Sequence, residues 1–174
     1  MRWLLACLAL SWSIPASAES LSWDYSSYPP LEALTQALMK NERQEAIYVE
    51  DRAPVYVLQR FVTDGKSASD WTEAVEVLNT MRRAEPKSPA EWYSRFQQKG
   101  LECPSNWTLI AQDKKSVTFQ RDSQACPPQP AQSGFYRVVY GKQQVFALIV
   151  TNKSAVSEEK RKQILAMLAS AEIR

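Results

Sequence analysis

The chain has 174 residues, with 21 Lys and Arg against 19 Asp and Glu, no His and three Cys. At 45% hydrophobic and 23% charged it has the composition of one ordinary globular domain, which sets aside disorder, collagen-like repeats and a multi-span membrane protein. A sequence without His holds no Ser-His-Asp or Cys-His hydrolase, no zincin and no His-ligated haem.

Residues 1–18 read as a cleavable export signal. Met1-Arg2 is the positive start, Leu4 to Leu10 the apolar run, and Ala16-Ser17-Ala18 the small-residue exit, with cleavage expected between Ala18 and Glu19. The apolar run is far shorter than the roughly 20 residues a spanning helix needs. Leu4-Leu5-Ala6-Cys7 also has the look of a lipoprotein box, but the six residues before Cys7 leave no room for an apolar region ahead of it. An uncleaved anchor is the remaining alternative. Export to a periplasm is the expected outcome. Cleavage leaves 156 residues with 20 basic and 19 acidic side chains, so no charge excess calls for nucleic acid or an anionic membrane as partner.

Residues 19–30 form a polar, aromatic leader ending at Pro29-Pro30, either a flexible arm or a strand laid on an edge, and residues 31–174 the globular domain. Leu31, Leu34 and Leu38 recur at helical spacing and predict a helix from Leu31 to about Arg43. Ala46 to Glu50 and Val55 to Val62 are β-branched and aromatic runs about an Asp51-Arg52-Ala53-Pro54 turn, a hairpin signal, and Asp64-Gly65-Lys66-Ser67 closes the second strand. Trp71 to Asn79 fits either periodicity and is assigned as a strand. Ser88-Pro89-Ala90-Glu91 is a capping box with Pro at the first helical position, opening a helix that carries Trp92 and Phe96 and stops at Gly100.

Trp107 to Ala111 and Ser116 to Arg121 read as a second hairpin. If its turn centres on Asp113-Lys114, paired positions sum to about 227. Cys103 and Cys126 then meet just beyond its open end. An even Cys pair in an exported protein reads as a disulfide, and closing that loop stabilises the fold by roughly 3 kcal/mol in the chain-entropy model. Phe135 to Tyr140 and Gln144 to Thr151 form a third hairpin about Gly141-Lys142. Val145 to Val150 is continuously apolar, the pattern of a central strand covered on both faces. A last helix runs from about Val156 to Ile173, capped by Ser154 or Ser157, with Ile164, Leu165, Leu168 and Ala171 as its buried stripe. The sum is an α+β fold, a mostly antiparallel sheet of about six to seven strands covered by helices.

This order of elements resembles the Mog1/PsbP-like fold, an α/β/α sandwich: the early hairpin, Trp71-Thr72-Glu73 opening a strand, the capped helix, the hairpins around Asp113 and Gly141-Lys142, and the closing helix. The resemblance covers roughly residues 45–173, rests on element order alone, and extends to small uncharacterised exported proteins of Gram-negative bacteria. It implies a non-catalytic binding or assembly factor and carries over no functional residue.

Chemistry is sparse. Lys66-Ser67 and Lys153-Ser154 are Ser-Lys neighbours in predicted turns, and Ser157-Glu158-Glu159-Lys160 has S-x-x-K spacing but sits where a helix cap belongs. Glu73 and Glu76 lie three apart on a strand, on opposite faces, so they cannot flank one sugar as a glycosidase pair must. Asp64, Asp70 and Glu73 lack calcium-loop spacing and read as solvated turn acids. No catalytic, cofactor-binding or metal-binding residue is assigned. The candidate partner contacts are Trp23 and Tyr25 in the leader and the basic pair Arg82-Arg83. Trp92 and Trp107 are assigned to the core. The expected protein is a periplasmic, disulfide-bonded monomer that binds another protein, as an accessory or assembly factor of an envelope complex. The alternative is an immunity protein against a periplasm-acting toxin, with a His-independent hydrolase as the remote third reading.

Overall fold

The computed structural model describes residues 19–65, 67–99, 103–127 and 130–174. The expected export signal, Ala18 included, and the expected helix terminator Gly100 lie outside the described residues. Seven strands form one antiparallel sheet: β2 (Ile47–Arg52), β3 (Tyr56–Gly65), β4 (Trp71–Met81), β5 (Ser105–Gln112), β6 (Ser116–Ser123), β7 (Gln132–Tyr140) and β8 (Gln144–Asn152). Their order is β2-β3-β4-β8-β7-β6-β5. The sheet is two meanders joined side by side. β2 to β4 run consecutively, the backbone then crosses to the far edge, and β5 to β8 step back until β8 lies against β4. The second meander ends in the middle of the sheet, which is where the continuously apolar Val145 to Val150 is needed.

Both faces of β8 are covered. Leu148 and Val150 point into a core closed by α1 (Pro29–Met39) and α3 (Glu158–Ala169), with Leu31, Leu34, Ile164, Met167 and Leu168. Val145 and Ala147 point the other way, into a core where Trp92, Tyr93 and Phe96 of α2 (Pro89–Lys99) meet Phe119, Tyr136 and Trp107. Phe119 is fully buried, and its ring stacks on Tyr136 with centroids 4.8 Å apart. α2 packs over β5, β6 and β7. On the same sheet face, the cross-strand pair Leu58 and Leu78 stays half-exposed between β3 and β4.

The capping box forms with one change of partner. Glu91 N–H donates to Ser88 Oγ at 3.2 Å, while the Glu91 carboxylate accepts from the N–H of Lys87, one residue further out than the motif implies. Ser157 caps α3, accepting from the N–H of Lys160.

Several boundaries differ from the sequence reading. The first helix spans Pro29–Met39, because its two prolines open it and Asn41 and Arg43 take left-handed backbone after it. The β2–β3 turn moves to Ala53-Pro54-Val55, with a cis bond before Pro54. The β5–β6 turn centres on Lys114-Lys115, since the Asp113 carboxylate accepts from the N–H groups of Lys115 and Ser116. Paired positions therefore sum to 228 at the open end (Ser105 with Ser123), and a bulge between Leu109 and Ala111 adds one more near the turn. The last helix stops at Ala169, and Glu172–Ile173 (β9) pairs antiparallel with Leu21–Ser22 (β1), a two-stranded ladder apart from the main sheet.

The leader is thereby ordered by the far end of the sequence. Trp23 and Tyr25 pack half-buried against the α1–α3 core, and Tyr28 is fully buried in it. They do not stand out as an aromatic arm: β1 is held by β9, and apolar rings gain more from the core surface than from water.

Candidate functional site

The β7–β8 turn is built from Gly141, Lys142, Gln143 and Gln144, closed by Gly141 N–H donating to the Gln144 carbonyl at 2.8 Å. Its next three N–H groups all aim at one acceptor. Lys142, Gln143 and Gln144 donate to the Glu19 carboxylate at 2.5, 3.0 and 3.0 Å. Successive backbone N–H groups turned to one side form an anion-binding nest. Gly141 makes the approach feasible, because a Cβ there would overlap the Glu19 carboxylate. Partial burial alone would raise the Glu19 pKa, but the three N–H donors and the nearby Lys142 charge outweigh it and hold the carboxyl below its ordinary value.

Arg82 joins this turn from a different direction. It lies in a single 3-10 turn after β4 (Arg82–Ala84), donates its own N–H to the Gln143 carbonyl at 2.9 Å and its guanidinium to the Gly141 carbonyl. The guanidinium also sits 5.4 Å over the Tyr140 ring. The Tyr140 hydroxyl lies 3.0 Å from the Pro86 carbonyl and 3.2 Å from that of Ser88, tying the basic loop to the sheet. Arg82, Arg83, Lys87 and Lys142 thus line one open groove. The Glu85 carboxylate, which shares that wall, accepts from Trp92 Nε1 at 3.0 Å.

Of the sequence-predicted contacts, Arg82 and Arg83 meet at this groove, whereas Trp23 and Tyr25 are spent on the core. Glu19, marked in the sequence only as the residue after the cleavage point, supplies the carboxylate. No local signal reveals that role, since its partners lie more than 120 residues away. Cys103 and Cys126 form the expected disulfide, their Cα atoms 5.6 Å apart just beyond the open end of the β5–β6 hairpin.

A second polar cluster is closed. Glu73, 1% exposed, accepts from the Tyr28 hydroxyl at 2.5 Å and the Thr63 hydroxyl at 2.7 Å, and forms an ion pair with Lys160 of α3. Glu73 is therefore a core carboxylate and not a solvated turn acid. Strand alternation places it on the inward face with Val75 and Val77, and the bulge in β3 falls at Thr63, whose hydroxyl reaches it. Glu76 lies on the opposite face and pairs with Arg60 at 2.6 Å. Asp64 accepts from Thr72 Oγ1 at 2.8 Å. Lys153 stands 3.7 Å over the Trp71 ring, and Lys66 of the other Ser-Lys pair lies outside the described residues. Among the described residues, no three His, Cys, Asp or Glu side chains gather as a metal set, and no helix is long and apolar enough to cross a membrane.

No protein-family model matches the sequence, and no curated protein matches it either. Two solved structures show partial likeness. A protein from Bacteroides thetaiotaomicron is 9% identical over 74% of this chain, at a TM-score of 0.38. This chain spans only 42% of that structure's length. The human StarD13 (DLC2) lipid transfer and protein localization domain is 8% identical over 79% of this chain and 91% of its own, at a TM-score of 0.32. Likeness at this level carries no assignment.

Proposed function

We propose that this protein is a non-catalytic protein-binding domain of the periplasm, an accessory or assembly factor of an envelope complex, built as a Mog1/PsbP-like sandwich. The observation that carries the reading is the groove at the β7–β8 end of the sheet, where Arg82, Arg83, Lys87 and Lys142 cluster on a nearly neutral protein. A cleft with an excess of one charge on a nearly neutral protein steers a partner of opposite charge and fixes its orientation. The Cys103–Cys126 disulfide is compatible with export to an oxidising compartment. The fold assignment is supported by the order of elements and by the two meanders meeting at a doubly covered central strand.

The test is crosslinking and affinity capture from native envelope extract, run in parallel with the wild-type protein and an Arg82→Glu, Arg83→Glu variant. Subunits of one envelope assembly captured by the wild type and lost from the variant support the reading. A single stoichiometric toxin-like protein lost in the same way moves the assignment to the immunity role. Equal capture by both proteins, or none by either, overturns the groove as the binding surface.

A further inference from the structure

We infer that the β7–β8 turn is a carboxylate-binding site for an acidic segment of the protein partner, and that Glu19 fills it in the unbound protein as a built-in competitor. This rests on the protein-binding reading above and names the chemistry of the partner. Three features point to it. The nest offers three consecutive N–H groups to one carboxylate. Gly141 keeps open the space that any Cβ would fill. The groove beside it carries more positive charge than its occupant uses: Arg83 and Lys87 are exposed, and Glu85, the carboxylate on that wall among the described residues, is engaged by Trp92.

Glu19 is a tethered occupant. Behind it the leader is held by the backbone pair of Ser20 with Arg174 and the two residue pairs of β1 with β9. A tethered side chain acts at roughly millimolar effective concentration, enough to keep out a lone carboxylate. A segment with several carboxylates gains from the nest and the exposed cations together, and displaces it. The occupant already seated is a carboxylate, so the ligand class is Asp or Glu side chains or the terminal carboxylate of a polypeptide.

The experiment is an NMR titration of the isotope-labelled exported protein with C-terminally amidated hexaglutamate, reading the amide signals of Lys142, Gln143 and Gln144. A competitor that holds the nest about 90% of the time weakens apparent affinity about tenfold, so Glu19→Ala tightens hexaglutamate binding by about that factor. Adding Arg83→Ala and Lys87→Ala to Glu19→Ala weakens it again, and raised salt does the same. Gly141→Ala in the Glu19→Ala background tests the cradle, and the charge variants keep the test open should that protein fold poorly. A free-carboxyl alanine peptide that moves the same signals assigns the source to a polypeptide terminus, and hexaglutamate assigns it to side chains. Both peptides leaving the three signals in place in Glu19→Ala, or the peptide that moves them binding wild type and variant equally, overturns the inference. Inorganic phosphate moving them where neither peptide does overturns the carboxylate assignment. A partner captured equally by wild type and by the Arg83→Ala, Lys87→Ala protein sinks this site and leaves protein binding standing. Peptide bound at the nest with no envelope protein captured does the reverse.

Discussion

The Tyr28 hydroxyl donates to Glu73 Oε1 at 2.5 Å, joining the end of the N-terminal leader to a central strand of the sheet inside the core. With Thr63 from β3 and Lys160 from α3, three separate segments close on one carboxylate. Taking one partner from such a cluster costs more than forming it gains, since the remaining groups stay buried. Tyr28→Phe is expected to destabilise the fold by about 2 kcal/mol, and Glu73→Ala by about 3 kcal/mol, since the uncompensated Lys160 retains partial access to water. Urea midpoints measure both. Unchanged midpoints would remove the cluster from the stability of the fold.

Tyr28 of this cluster is one of three buried tyrosines that shape the alkaline behaviour. Burial, reinforced by the Glu73 carboxylate, holds the Tyr28 phenol protonated far above its ordinary value of 10.0. Burial pushes Tyr136 and Tyr140 up to about 12. In the unfolded protein all three ionise near pH 10, so stability that is whole below about pH 10 declines as the pH rises past it. Tyr28→Phe removes one proton from that slope. Stability against pH for both proteins, with tyrosinate absorbance as a second probe, checks it; identical slopes count against the assignment.

Acid acts through Glu19 with the opposite sign. Its folded pKa is lowered, so its contribution is present above the unfolded value of 4.5 and is lost as the pH falls below it. Glu19→Gln flattens stability in that window, although Asp113, lowered by its own backbone donors, keeps part of the slope. N-terminal sequencing of the exported protein is expected to begin at Glu19, the residue seated in the β7–β8 turn. A start further along the sequence would remove that contact altogether.

Reduction of the Cys103–Cys126 bridge, or Cys103→Ser with Cys126→Ser, is expected to lower stability by roughly 3 kcal/mol. Denaturation with and without a thiol reductant measures it. Free thiols in the protein recovered from the cell envelope would refute the bridge itself.

Phe119→Ala removes the ring on which α2 docks. Phe119 is fully buried and lies within 6.1 Å, centroid to centroid, of Trp92, Tyr93, Phe96, Trp107 and Tyr136. A cavity there is expected to cost about 4 kcal/mol and to collapse the near-ultraviolet dichroism of the aromatic cluster. A loss below about 1 kcal/mol would mean that α2 holds its place without this ring.

The features legible in the sequence are those whose causes are local. The hairpins follow from apolar runs about turn residues, α2 from Ser88-Pro89-Ala90-Glu91, and the central place of β8 from an uninterrupted apolar run. The disulfide follows from hairpin register, which tolerates a shift in the turn because Cys103 and Cys126 lie beyond its open end. Where Asp113 recruits the N–H groups of Lys115 and Ser116 the turn moves, and reading polar residues by type alone puts it too early.

The sequence by itself determined the hairpins, the cap of α2, the cysteine pair and the apolar stripes, because each depends on residues within a few positions of one another or on the register of one hairpin. Only the tertiary structure decided which distant groups share a site. It carried Glu73 into the core beside Tyr28 and Lys160, turned Trp23 and Tyr25 inward by pairing the two ends of the protein, and set the Glu19 carboxylate in a turn 123 residues away. Periodicity records which face of an element seeks burial. It does not record which other segment arrives to cover that face, or whose polar group fills an opening in a turn.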